Sequence, residues 1–329
     1  MKFSPSKALA LAVSLLGCTT VASSSEQEIV EAHASETPSL VRFDGSAALT
    51  TTTPAGDAAD VYYPTDRSGR ASAVLGLRHP VVVLLQGAQT DKSAYSKVAG
   101  LVAGHGFVVI VPNHARAFPP GAPPALFTEE SVITDAFAAV RAEASTALSP
   151  LAGRVDETRL ALIGHSFGGV ATLLGVAGTC APPFCTPGTY ARPDALKAAI
   201  VYGTNYTAGD PHVALPIDTS AVPVAMVQGT LDGRSLPALG VLTYAELEPP
   251  KAFIEIEGAN HFGITDTGAP AGAVPDPSSA SIAQDAAIER IGTWAAVFLR
   301  WSVNGEPAAR EYLRSSGSPD HAVSVTAAL

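Results

Sequence analysis

The sequence predicts an α/β fold: a mostly parallel central sheet with helices on both faces. Three observations predict it. Short apolar runs recur along the chain, each stopped by glycine, proline or a polar turn. Between them lie longer segments whose apolar residues return at helical spacing. One stretch, "RLALIGHSFGGVATLLG" from Arg159 to Gly175, joins the two kinds across a corner flanked by glycines. Strands alternating with helices imply parallel pairing with both sheet faces covered.

Taken in order, "ADVYYP" reads as an early strand ending at Pro64. "PVVVLL" (Pro80 to Leu85) is apolar throughout, as a strand buried on both faces should be. Ser93 to Ala103 has helical spacing, and "FVVIVP" (Phe107 to Pro112) is a second buried strand. Glu129 to Leu148 reads as a long helix. Leu160 to Ile163 is a strand, and the helix after it carries Val170, Leu173, Leu174 and Ala177 on one face. "KAAIVYG", "VPVAMVQG" and "KAFIEIEG" are further strands, with a helix or turn around Leu236 to Leu247 before the last. Ser279 to Val303 is a final amphipathic helix. No internal repeat is present.

The chain has 329 residues, 47% hydrophobic and 15% charged, enough for one large α/β domain with a full core. Its net charge of −10 argues against nucleic acid and against attraction to anionic lipid. Residues 1–18 read as an export signal: Lys2 and Lys7, then an apolar run from Ala8 to Leu16 too short to span a bilayer, then "LLGC" ending at Cys18. That ending resembles a bacterial lipobox and makes Cys18 the lipidation candidate, hence a membrane attachment. Cleavage near "TVASS" is the alternative. Either route implies an exported protein, in the cell envelope or secreted. Residues 19–40 read as a flexible tether, residues 41–314 as the folded domain, and residues 315–329 as a loose tail. In an exported chain, Cys180 and Cys185 of "TCAPPFCT" read as a short-loop disulfide. A zinc site needs more Cys or His nearby, so no metal is expected.

Active sites of such sheets lie at the C-terminal strand ends. Three strand ends carry the useful groups. Ser166 sits in G-x-S-x-G at a strand-to-helix corner, where Gly164 and Gly168 remove side chains that would clash. "VPVAMVQGTLDG" presents Asp232 after its strand, and "FIEIEGANHFG" presents His261 after the next. A serine hydroxyl is a weak nucleophile at neutral pH. An imidazole takes its proton and returns it to the leaving group, and a carboxylate orients the imidazole. His165 adjoins the serine on the corner and cannot readily fold back to act as its base. Asp266 and Asp276 follow the histidine, and Asp210 and Asp218 lack a preceding strand end. The backbone N–H groups of Phe167, after the nucleophile, and Ala88, in the "QGAQ" loop, are the expected oxyanion donors. Tyr206, Phe262 and Phe127 are candidate pocket walls; a core role suits each equally.

The segment "HPVVVLLQGAQTDKSAYSKVAGLVAGHGFVVIVPNH", followed by "GHSFGG", resembles the chlorophyllase and polyester-hydrolase (cutinase-like) branch of the α/β-hydrolases. "GHSFGG" is also similar to the secreted platelet-activating-factor acetylhydrolases. The resemblance runs from about Val61 to His261. It implies an α/β-hydrolase fold and a serine esterase that cleaves small-molecule, lipid or polymer carboxylic esters without a cofactor. On it, Ser166, Asp232 and His261 match the triad, and Ala88 and Phe167 the oxyanion positions. Two features depart from the pattern. Gln86-Gly87-Ala88 stands where chlorophyllases carry His-Gly and a bulky residue, and Ala88 replaces the aromatic wall of polyester hydrolases. The rival from another class is a non-catalytic surface lipoprotein that binds ligands; an intact triad stands against it.

Overall fold

The computed structural model describes residues 43–71, 77–314 and 320–329. The expected export segment with Cys18 and the tether lie outside these residues. Nine strands form the central sheet: β1 (Gly45–Thr52), β2 (Ala58–Thr65), β3 (His79–Leu85), β4 (Val108–Pro112), β5 (Val155–His165), β6 (Leu196–Tyr202), β7 (Val224–Gly229), β8 (Lys251–Ile256) and β9 (Val323–Ala328). Their order is β1-β2-β4-β3-β5-β6-β7-β8-β9. Across the sheet from β4 to β8 every neighbouring pair is parallel; β2 pairs antiparallel with β4, β1 antiparallel with β2, and β9 antiparallel with β8.

The apolar runs fold as strands because both faces find a layer of helix. On β3, Val82 and Leu84 face one core while Val81, Val83 and Leu85 face the other. The first core is closed by α1 (Ser96–Gly104), α5 (Gln284–Ser302) and α6 (Pro307–Arg314) through Val102, Trp294, Phe298 and Leu313. The second is closed by α2 (Ser131–Ser145) and α3 (Phe167–Ala177) through Ile133, Val140, Leu173 and Val176. A further helix, α4 (Pro237–Glu246), precedes β8 and buries only Gly240 and Thr243. Fully burying one such aliphatic side chain stabilises by about 1.5–3 kcal/mol.

Four expectations need correction. The segment read as a loose tail contains β9: Val323 and Val325 are buried against the core, and the strand pairs with β8 from Ile256↔Val323 to Lys251↔Ala328. Only two of its residues point inward and the rest are small or polar, so its composition resembles a loop. The Ser93–Ala103 helix begins as a 3-10 turn over Lys92–Tyr95, capped by Asp91, before α1. The long helix is Ser131–Ser145 rather than 129–148. The last amphipathic helix starts at Gln284 rather than Ser279, because Ser278 and Ser281 are tied to Asn260 and Gly258 first.

Candidate active site

The C-terminal ends of β3, β5, β7 and β8 bring the predicted groups together. Ser166 sits between β5 and α3 at φ 53°, ψ −116°. A non-glycine residue there is strained by roughly 1–3 kcal/mol, so the corner has to be held from outside. The Ser166 N–H donates to Tyr202 O at 2.9 Å. A Cβ at Gly164 would stand 2.5 Å from Gly168 O, and one at Gly168 would stand 2.5 Å from Gln86 O. The two glycines are therefore steric requirements of the corner.

His261 Nε2 lies 2.9 Å from Ser166 Oγ, and His261 Nδ1 lies 2.9 and 3.0 Å from the Asp232 oxygens. An ionised carboxylate only accepts, so Nδ1 carries the proton and donates to Asp232, leaving Nε2 to accept the serine O–H. Asp232 is held in turn. Its Oδ1 accepts from the N–H groups of Arg234 (2.9 Å) and Ser235 (2.7 Å), and its Oδ2 from the Gln228 amide (3.3 Å). Both the acid and the imidazole are buried.

The expected oxyanion donors are free to act. Phe167 opens α3, where a helix leaves its first N–H groups without partners. In the β3 loop the neighbouring N–H groups are committed: Gly87 donates to the Tyr95 hydroxyl (2.8 Å), Gln89 to Leu126 O (2.7 Å) and Thr90 to Gly87 O (3.2 Å). Among the described residues the Ala88 N–H has no such partner. Gln86 takes no part in the site. Its amide, oriented to satisfy both neighbours, donates to Pro112 O and accepts from the His114 N–H.

The family model described as PETase, PET hydrolase-like, matches residues 33–182. That family is one of polyester hydrolases with an α/β-hydrolase fold, and the large, mostly parallel sheet with helices on both faces is consistent with it. The fold is an α/β-hydrolase fold. No curated protein matches the chain.

Within this α/β-hydrolase fold the remaining predicted residues divide. Phe262 is buried at the cavity beside Ser166, edge-on to His261 with ring centroids 5.2 Å apart. Tyr206 is not brought to that cavity. It packs against the core under α2 and α3, and its N–H donates to Thr243. Phe127 stands 5.4 Å, centroid to centroid, from Phe167. Cys180 and Cys185 form a disulfide just beyond α3. Its loop places Phe184 on Phe167 at 4.6 Å. Arg116 clamps that loop by donating to Pro183 O, and its guanidinium lies 5.8 Å from the Phe167 ring centre. Among the described residues no His, Cys, Asp and Glu cluster could hold a metal ion.

The sequence reading missed two sets of supporting groups. Asp276 Oδ2 accepts the His261 N–H at 2.7 Å, while its Oδ1 accepts from Gly233 (3.1 Å) and Ser278 (2.8 Å). One carboxylate thus ties the base loop to the acid loop. His165 forms the second tie. Its Nδ1 accepts from the Tyr95 hydroxyl at 2.9 Å, and its Nε2 donates to His261 O at 2.9 Å. Burial holds its pKa well below the usual histidine value, so the ring stays neutral and keeps this one tautomer. The oxyanion loop, the elbow and the base loop are joined through Gly87, Tyr95, His165 and His261.

Proposed function

We propose that this α/β-hydrolase is an exported serine carboxylic-ester hydrolase. Ser166 Oγ attacks the ester carbonyl as His261 Nε2 takes its proton. The carbonyl oxygen, now negative, receives hydrogen bonds from the Ala88 and Phe167 N–H groups. His261 returns the proton to the departing alcohol, leaving an acyl group on Ser166. Water, deprotonated by His261, then releases the acid and restores the serine. Asp232 stabilises the imidazolium in both halves. Each oxyanion donor is worth about 3–4 kcal/mol in the transition state.

The observation that carries this reading is the unbroken hydrogen-bonded line from Ser166 Oγ through His261 to Asp232, at 2.9 Å per step. The PET hydrolase-like match supports ester hydrolysis in general. The room beside Ser166 is only about 40 Å³, which favours short acyl groups. Export is supported by the Lys2-Lys7 start, the apolar run and "LLGC", with Cys18 as the proposed lipid anchor, and by the disulfide, which persists in oxidising compartments.

Hydrolysis of p-nitrophenyl esters from acetate to palmitate tests it. The protein should turn over acetate and butyrate best, and Ser166→Ala should lose at least ~10⁴-fold in kcat/KM. Equal rates for the two proteins would remove Ser166 as the nucleophile.

A further inference from the structure

Among the described residues, Arg234 is the only lysine or arginine that lines the cavity beside Ser166. Its backbone is fixed, because its N–H is one of the donors to Asp232. Its side chain is exposed, with one guanidinium hydrogen bond, to Pro275 O at 3.3 Å, and no ion pair among the described residues. The carboxylates of its own turn and of the segment it donates to, Asp232 and Asp276, are already committed. Asp232 holds His261, and Asp276 accepts three backbone N–H groups. The guanidinium is therefore a free, planar, permanently charged fork at the edge of the reaction site, the geometry that takes a carboxylate through paired hydrogen bonds. Its field reaches the elbow, where it adds to the burial and the neighbouring His261 that keep His165 neutral. This local cation stands out in a chain of net charge −10, which as a whole repels anions.

The cavity adds a size limit. The segment carrying Ala273 and Val274 closes over the oxyanion loop, so that a Cβ on Gly272 would stand 3.0 Å from Gln89 O. Small walls at Ala88 and Ala273 and about 40 Å³ of room suit a few carbons beyond the reacting carbonyl.

We propose that this site takes short esters bearing a free carboxylate, such as hemiesters of short dicarboxylic acids or acid-ended oligoesters of hydroxy acids, and that Arg234 binds that carboxylate. The inference rests on the esterase reading above. Water cleaves the ester to an acid and an alcohol, and the recognised carboxylate is unchanged.

The test compares isosteric pairs that differ only in charge. Monoethyl succinate against ethyl succinamate places the carboxylate on the acyl side; acetoxyacetate against acetoxyacetamide places it on the alcohol side. The ratio of kcat/KM within each pair is the readout, so a general change in activity cancels. The charged member should be favoured by about tenfold in at least one pair. That ratio should shrink as sodium chloride rises, fall towards one in Arg234→Gln, and be only partly kept in Arg234→Lys, which keeps the charge but not the fork. A ratio at or below one in both pairs, or a ratio in Arg234→Gln equal to that of the parent, would overturn the proposal while p-nitrophenyl acetate is still cleaved. Failure of the parent to cleave p-nitrophenyl acetate would instead remove the esterase reading, and this inference with it.

Discussion

Asp276 touches neither Ser166 nor the reacting atoms, yet it fixes where the base stands. Its carboxylate takes the His261 N–H at 2.7 Å and the Gly233 N–H at 3.1 Å, one from each loop that delivers a triad member. Asp276→Asn keeps the volume but offers one acceptor oxygen where two are in use. A fall in kcat of about tenfold on p-nitrophenyl acetate is expected, with KM nearly unchanged, because a small misplacement of the base costs rate more than binding. Steady-state kinetics check this; an unchanged kcat would mean the tie is dispensable. Ser166, Asp232 and His261 were legible because each needs a particular backbone place, a sharp corner or a strand-end turn, and such places leave glycines and apolar runs in the sequence. Asp276 and Tyr95 were not. Asp276 binds backbone N–H groups, which leave no pattern in the side chains, and it follows the histidine in "PDP". Tyr95 reads as an apolar helix residue until its hydroxyl is seen between Gly87 and His165.

At the scale of elements, β2 to β8 were legible and the two edge strands, β1 and β9, were not. A strand buried on both faces must be apolar at every position, as Pro80 to Leu85 is. An edge strand buries at most one face. β1, "GSAALTTT", alternates half-buried and exposed residues, and β9 rests on two valines, so neither rises above a loop in composition. Helix limits slipped for another reason. Glu129 and Glu130 carry the helical pattern past the true start, but Glu130 is held outside α2 by its N–H bond to Phe184 O in the disulfide loop. This costs stability at neutral pH. Glu130 is buried, its Oε1 has no hydrogen-bond partner among the described residues, and burial, then the charge of Glu129, raises its pKa from 4.5 to about 7. A carboxyl whose folded pKa lies above its unfolded value contributes stability that is full below about 4.5 and is lost as pH rises through about 7. Glu130→Gln should therefore gain stability over the parent at pH 8, on the order of 2 kcal/mol, and little at pH 4. Denaturant melts at the two pH values check this; an equal change at both would place the effect elsewhere.

Across the whole molecule, a nine-stranded sheet sets the ends of β3, β5, β6, β7 and β8 side by side, so that residues distant in sequence meet at one edge. Asp232 and His261 are 29 residues apart in the chain, and Ser166 and His261 are 95 apart, yet all three share one line of hydrogen bonds. The parallel pairing of the central strands follows from the alternation of strands and helices, which the sequence displays. The substrate-facing walls do not follow from it. "FGITDTGAPAGAVPDP" has no period, and its course over Ser166 depends on ties such as Asp276 and on Gln284, which donates to Phe262 O and Thr265 O. The central claim is that this architecture makes Ser166 a nucleophile. Labelling with a fluorophosphonate, followed by mass spectrometry of the digested protein, tests it most directly. One adduct is expected, on Ser166, lost in His261→Ala although that variant keeps the serine. No adduct, or one that forms as fast without His261, would contradict it.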